Sequence, residues 1–291
     1  MALSEHGGPV LRRWHVAVLA VLGVLALACD GAGATPEPTS TGGAKKGYPS
    51  SMAALGDSIT AGYGSCRVFV ACSRNSWSTG GADGLDSHYQ RILAKNPRIK
   101  GHARNFAVPG ARSADLAKQA ASAVDAKVQY VTILIGANDA CGGGADSMTS
   151  VKAFRKRVDA GLDRLRDGLP KARILVASIP DVHRLWELAH DDPAAVRAWK
   201  LGICPSMLAD PTSDSEAAEA RRDRVDDRID AYNDQLGQAC EAYGDRCRWD
   251  GGGAHGVRFD IDLLNKVDYF HPSVAGQRRL AEVTYPGRIT W

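Results

Sequence analysis

The chain has 291 residues, 44% of them hydrophobic, enough for one sizeable core and a poor fit to two. Its formal net charge is only +3, and no run of lysine and arginine marks a nucleic-acid groove, so nucleic acid is not an expected partner. In chain order, Arg12 and Arg13 precede an uninterrupted apolar run at 16–28 that is too short to span a bilayer comfortably and ends in Ala26-Leu27-Ala28. Residues 1–28 therefore read as a signal peptide, and the protein is expected to be exported. Two outcomes fit the cleavage site. One is plain secretion after Ala28. The other is membrane anchoring as a lipoprotein through a lipidated Cys29, although a lipobox carries leucine three residues before its cysteine and Ala26 stands there. Residues 29–47 are rich in Gly, Pro, Ser and Thr and read as a flexible tether to a folded domain over 48–291.

Within that domain short apolar strands alternate with helical stretches. Strands are predicted at 51–57, 102–108, 130–136 and 172–180, the last two apolar throughout, as strands covered on both faces are. Helices are predicted at 87–96, at 113–126 with Ser113 as N-cap, and at 150–169, where Val151, Phe154, Val158, Leu162, Leu165 and Leu169 recur at helical spacing. Residues 181–216 read as an irregular insertion over the sheet. From 217 the chain is helical again, with Val225, Ile229, Tyr232, Leu236 and Tyr243 on one stripe and the charge run at 221–230 on its solvated face; a last helix is expected at 273–285. This alternation predicts a three-layer α/β domain with a mostly parallel sheet, and ligands in such sheets bind beyond the carboxyl ends of the strands.

Those strand ends carry the chemistry. Ser58 follows the first strand in "LGDSITAGYG", Gly110 follows the second, and Asn138 follows the third. A serine that attacks an ester needs a base and donors for the developing oxyanion. His271 in "DYFHPS" supplies a base, and Asp268, three residues earlier, a carboxylate to hold its tautomer. The oxyanion donors would be the backbone N–H groups of Ser58 and Gly110 and the side-chain amide of Asn138. Each motif alone has an ordinary reading: GDS is a common turn, GxND often opens a helix, and DxxH is often a surface pair. Asp57 and Asp139 are expected to be structural, and His88, His102, His183, His190 and His255 to be surface or packing residues. Trp77, Trp186 and Trp199 suit either a pocket or the core.

Taken in order, "GDSIT", "NFAVPGARS", "GAND" and "DYFHP" resemble the four blocks of the SGNH (GDSL) hydrolases, and "SWSTGG", "GARS" and "IGANDAC" resemble the phospholipase B-like branch of that family. The resemblance covers most of residues 52–285 and is weakest over 181–216. It implies a flavodoxin-like three-layer sandwich and hydrolysis of carboxylic esters, of lipid or phospholipid acyl groups in this branch, with no metal and no cofactor. The expected partner is a small-molecule or lipid ester, and the expected state a monomer. Two other readings are a carbohydrate O-acetyl esterase of the cell envelope and a non-catalytic envelope protein that binds glycan or lipid. The presence of both Ser58 and His271 argues against the second of these.

Setting Cys29 aside, the chain has Cys66, Cys72, Cys141, Cys204, Cys240 and Cys247, an even number that favours disulfides in an exported protein. Sequence alone does not choose among the pairings. Cys66–Cys72 and Cys240–Cys247 are close enough to close small loops, which leaves Cys141–Cys204. No CxxC pair suggests zinc. Alkylation without reductant, followed by intact-mass analysis, is expected to find none of the six as a free thiol; six alkylated cysteines would remove the framework.

Overall fold

The computed structural model describes residues 47–289. The expected signal peptide, Cys29 and the tether lie outside the described residues, apart from Gly47 at the tether's end. The strands are β1 (Met52–Gly56), β2 (Ala103–Asn105), β3 (Tyr130–Leu134), β4 (Arg173–Val176) and β5 (Cys247–Trp249). They form one parallel sheet in the order β2-β1-β3-β4-β5, the flavodoxin-like order. The helices are α1 (His88–Leu93), α2 (Leu116–Asp125), α3 (Ala137–Ala140), α4 (Val151–Gly168), α5 (Val182–Ala189), α6 (Pro193–Trp199), α7 (Pro205–Leu208), α8 (Glu216–Tyr243) and α9 (Val274–Thr284).

Alternation along the strands divides the core in two. Ala53, Leu55, Val131, Ile133, Ile174 and Val176 face one layer, where α2, α4 and α8 pack. Met52, Tyr130, Leu134 and Leu175 face the other, against Ile92 of α1 and Leu280 of α9. Successive strand side chains point to opposite faces, so strands covered on both sides are apolar at every position. The helices begin where serine and aspartate can cap them. Ser87 and Gln90 form a capping box on α1, and Ser150, Asp181, Asp192, Ser215 and Ser273 cap α4, α5, α6, α8 and α9.

Three expectations are corrected, and one strand is added that was not expected. Ser113 does not cap α2: it opens a short 3-10 turn before it, and its backbone N–H and hydroxyl both donate to Asp139, each at 2.7 Å. Residues 181–216 are largely helical, as α5, α6 and α7, because Asp181, Asp192 and Pro193 supply helix starts that loop-like composition obscured. β5 has no sequence signal, since three residues are too few to show alternation. The charge run at 221–230 is not simply a solvated face. Arg222 is buried with its guanidinium 3.8 Å over the Trp186 ring, Arg221 donates to the carbonyls of Ser206 and Ala209, and Arg228 donates to Thr149 O. Long side chains with charged tips bury their stems and tie α8 to the loops around it.

The structure pairs Cys66 with Cys72, Cys141 with Cys204 and Cys240 with Cys247, at Cα–Cα distances of 6.0, 4.4 and 5.3 Å. The bridge from Cys141 fastens the loop between α6 and α7 to the C-terminal end of α3. Trp77 and Trp199 are core residues, and Trp186 lies under Arg222.

His88 is fully buried between Tyr130 Oη and Thr284 Oγ1, each 3.0 Å away, and joins α1 to β3 and α9. Burial, aided by the charge of Arg91, lowers its pKa from 6.5 to about 3. Between those values the unfolded chain binds a proton that the folded protein refuses, so stability falls as pH drops from about 6.5 towards about 3. His88→Gln is expected to be less stable at neutral pH, where the paired imidazole is lost, yet to lose less stability than wild type on acidification. Urea unfolding across that range checks the crossing slopes.

Candidate active site

The backbone leaving β1 turns sharply at Gly56, whose φ is +144°, and a Cβ there would lie 2.1 Å from Leu134 O. Only glycine lets the end of β1 approach β3 so closely. Two buried glutamines hold the turn that follows. Gln119 of α2 accepts from Gly56 N–H at 2.7 Å and donates to Gly56 O at 2.9 Å. Gln277 of α9 accepts from Trp77 N–H at 2.9 Å and donates to Ile59 O at 2.8 Å. Asn105, at the end of β2, donates to Thr60 O at 2.9 Å. Sequence reasoning missed all three. The available signal was a glutamine on the apolar face of each helix, three residues from Leu116 and from Leu280.

Held this way, Ser58 Oγ lies 2.8 Å from His271 Nε2. His271 Nδ1 lies 2.7 Å from Asp268 Oδ2. The other oxygen of Asp268 accepts the backbone N–H groups of Phe270 and His271, each at 2.9 Å. Asn265 supports this loop by donating to His271 O and accepting from Asp268 N–H. Burial raises the pKa of Asp268, but the hydrogen bond and charge of His271 and the two backbone donors outweigh it and hold the carboxyl below its ordinary value. An ionised carboxylate on Nδ1 fixes the imidazole proton there and leaves Nε2 to accept the Ser58 hydroxyl. The rings of Tyr63 and Phe270 stand 5.0 and 5.1 Å from His271 and restrict its rotation.

Gly110 and Asn138 meet Ser58 across a cleft of about 370 Å³, whose walls include Phe69, Phe270, Ile203 and the Cys141–Cys204 bridge. The structure therefore brings the three strand ends and the histidine loop together at the β1/β3 switch point. Among the described residues, neither Ser58 N–H nor Gly110 N–H has a hydrogen-bond acceptor. One amide hydrogen of Asn138 is committed to Ala111 O at 3.0 Å, which orients the side chain and leaves a second. Gly110 has φ +82° and open space where a Cβ would stand, so backbone conformation rather than crowding calls for glycine. His183, His190 and His255 lie near surface carboxylates, outside this constellation. Among the described residues no group of three or more His, Cys, Asp or Glu is placed to hold a metal ion.

A family model described as the GDSL-like Lipase/Acylhydrolase family matches residues 54–279. Membrane-associated phospholipase B1 of Rattus norvegicus is 26% identical over 226 residues, covering 66% of this chain and 15% of that protein. Its Homo sapiens counterpart is 28% identical over 216 residues, covering 62% and 15%. The chain thus spans about 15% of the length of these relatives. Among solved structures, an extracellular lipase from Streptomyces rimosus aligns with 17% identity and a TM-score of 0.44, over 80% of this chain and 97% of that one.

Asp57 sits directly behind Ser58. It is fully buried, one oxygen accepts from Ile59 N–H at 2.9 Å, and the other has no partner among the described residues. Burial raises its pKa to about 7 against the pull of that hydrogen bond and of His271, with Asp139 adding to the rise. An acid raised in this way keeps a proton that the unfolded chain loses from about pH 3.8 upward, so its contribution to stability falls as pH rises to about 7. Asp57→Asn keeps the Ile59 bond and removes the titration. Relative to the variant, wild type is expected to lose stability between those pH values, read by chemical unfolding; parallel curves would place the carboxyl in an unstrained environment.

Proposed function

We propose, from the premise that the chain belongs to the GDSL-like lipase/acylhydrolase family, that it is a serine hydrolase of carboxylic esters with Ser58 as nucleophile, His271 as general base and Asp268 as the acid of the triad. The observation that carries this reading is the continuous relay from Ser58 through His271 to a buried carboxylate, opening into a largely apolar cleft.

In this reading Ser58 Oγ attacks the ester carbonyl carbon while its proton passes to His271 Nε2. Asp268 stabilises the imidazolium that results. The carbonyl oxygen gains negative charge and takes hydrogen bonds from Ser58 N–H, Gly110 N–H and Asn138 Nδ2, groups already oriented before substrate arrives. Collapse expels the alcohol, protonated by His271, and leaves an acyl-serine. Water, deprotonated by the same imidazole, releases the carboxylic acid and restores the serine. The cleft's aromatic and aliphatic walls support an acyl chain of a lipid or phospholipid as the substrate group. Disulfides persist in oxidising compartments, which supports the reading of residues 1–28 as an export signal and of the domain as acting outside the cytoplasm.

A fluorophosphonate is expected to label Ser58, and Ser58→Ala to lose hydrolysis while remaining folded; labelling of another serine with activity retained would sink the assignment. Asn138→Ala is expected to lower kcat by on the order of 10²–10³ and to change KM much less, since its bond strengthens in the transition state. Comparing acetyl with long-chain p-nitrophenyl esters tests the acyl group: preference for acetyl would favour a carbohydrate O-acetyl substrate.

A further inference from the structure

Large apolar side chains that stand exposed are concentrated at one place. Among the described residues they are Val68, Phe69, Val70, Val108, Leu201 and, at the threshold of exposure, Val274. The first five are 52%, 57%, 51%, 54% and 80% exposed and fall on three loops whose neighbouring residues Phe69, Pro109 and Gly202 line the cleft of Ser58 and His271. Single exposed hydrophobics are ordinary; five around one cleft mouth are not.

The loop carrying three of them is held outward. The Cys66–Cys72 bridge closes it, Gly64 N–H donates to Val70 O at 3.1 Å, and Cys72 N–H donates to Ala61 O at 3.0 Å. Val68, Phe69 and Val70 therefore remain in water without folding back onto the core. Charge follows the same pattern. Residues 66–72, 106–112 and 200–204 each contain one exposed cation, Arg67, Arg112 and Lys200, and no acid. Apolar tips for insertion with cations beside them match a negatively charged lipid surface, where burial of apolar area and attraction to anionic headgroups add.

We propose that the cleft mouth is a docking face for a phospholipid surface of net negative charge, with the Cys66–Cys72 loop, Val108 and Leu201 inserted among the lipids. The ester-hydrolase reading gives the docking its purpose. A surface covering this rim lies directly over Ser58, so an acyl ester can pass from the lipid layer into the apolar cleft without crossing bulk water.

The test uses the exported, processed chain with Cys29→Ser, so that no acyl anchor contributes, and with Ser58→Ala, so that vesicles are not consumed. Sedimentation is expected to show partition onto phosphatidylglycerol vesicles that exceeds partition onto phosphatidylcholine vesicles and weakens with added salt. Combining Val68→Ser, Val70→Ser and Leu201→Ser is expected to reduce partition by about tenfold or more. In the Ser58 form, the same three changes should leave kcat/KM for a soluble short-chain ester unchanged. The difference between the emission of a Val68→Trp reporter and that of its parent, which shares all the chain's own tryptophans, should shift to the blue with phosphatidylglycerol vesicles, a readout independent of whether the triple variant folds. Absence of vesicle binding, binding indifferent to the three substitutions or to lipid charge, or a reporter without a shift would overturn the proposal. So would a dimer in sedimentation velocity that the three substitutions dissolve, which would assign the rim to a second copy. Because binding is measured without the nucleophile, failure of fluorophosphonate labelling would remove the hydrolase reading and leave the docking result standing.

Discussion

Everything at the site depends on the turn between Gly56 and Thr60. There the chain leaves the sheet while still deep in the protein, and its backbone N–H and C=O groups lose their ladder partners before they reach water. A buried polar group left without a partner costs on the order of 1–3 kcal/mol, so the turn exists only if side chains replace the ladder. Gln119 and Gln277 do this from opposite layers of the sandwich, and Asn105 does it from the neighbouring strand. The position of Ser58 is thereby a property of helices α2 and α9 as much as of its own loop. Substituting either glutamine would leave backbone groups unpaired beside Ser58, which links the packing of distant helices to the placement of Ser58 against His271.

The same logic extends outward. Asp139, just past β3, takes both donors of Ser113 and so fixes the approach to α2. Asp268 spends one oxygen on its own loop and the other on His271, so the turn that presents the imidazole and the charge that orients it are one group. The Cys141–Cys204 bridge and the arginines of α8 hold residues 181–216 against this framework. That segment supplies Ile203 to the cleft wall and Leu201 to its rim. That segment thus forms one wall of the cleft, while Ser58, Gly110, Asn138 and His271 stand on the strand ends and on the loop before α9.

Much of this was legible in the sequence because local periodicity and strand-end residues carry it. Apolar runs at 130–136 and 172–180 announced strands covered on both faces, and the stripe from Phe154 to Leu169 announced α4. The strand-end rule then pointed to Ser58, Gly110 and Asn138, and the three-residue spacing of Asp268 and His271 pointed to a shared turn. These are properties of short segments, decided by backbone geometry within a few residues. Other features were not local. The glutamines that satisfy the Gly56–Thr60 turn come from helices 63 and 218 residues away along the chain from the groups they bind. The commitment of Ser113 to Asp139 rather than to its own helix, the burial of Arg222 against Trp186, and the gathering of Val68, Phe69, Val70, Val108 and Leu201 at one mouth each depend on segments that meet only after folding. The sequence by itself determined the layered α/β architecture and nominated the groups proposed to react, because both follow from spacing along the chain. Only the tertiary structure decided which polar groups pair with which and which apolar groups stay in water, because pairing and exposure are set by neighbours distant in the chain.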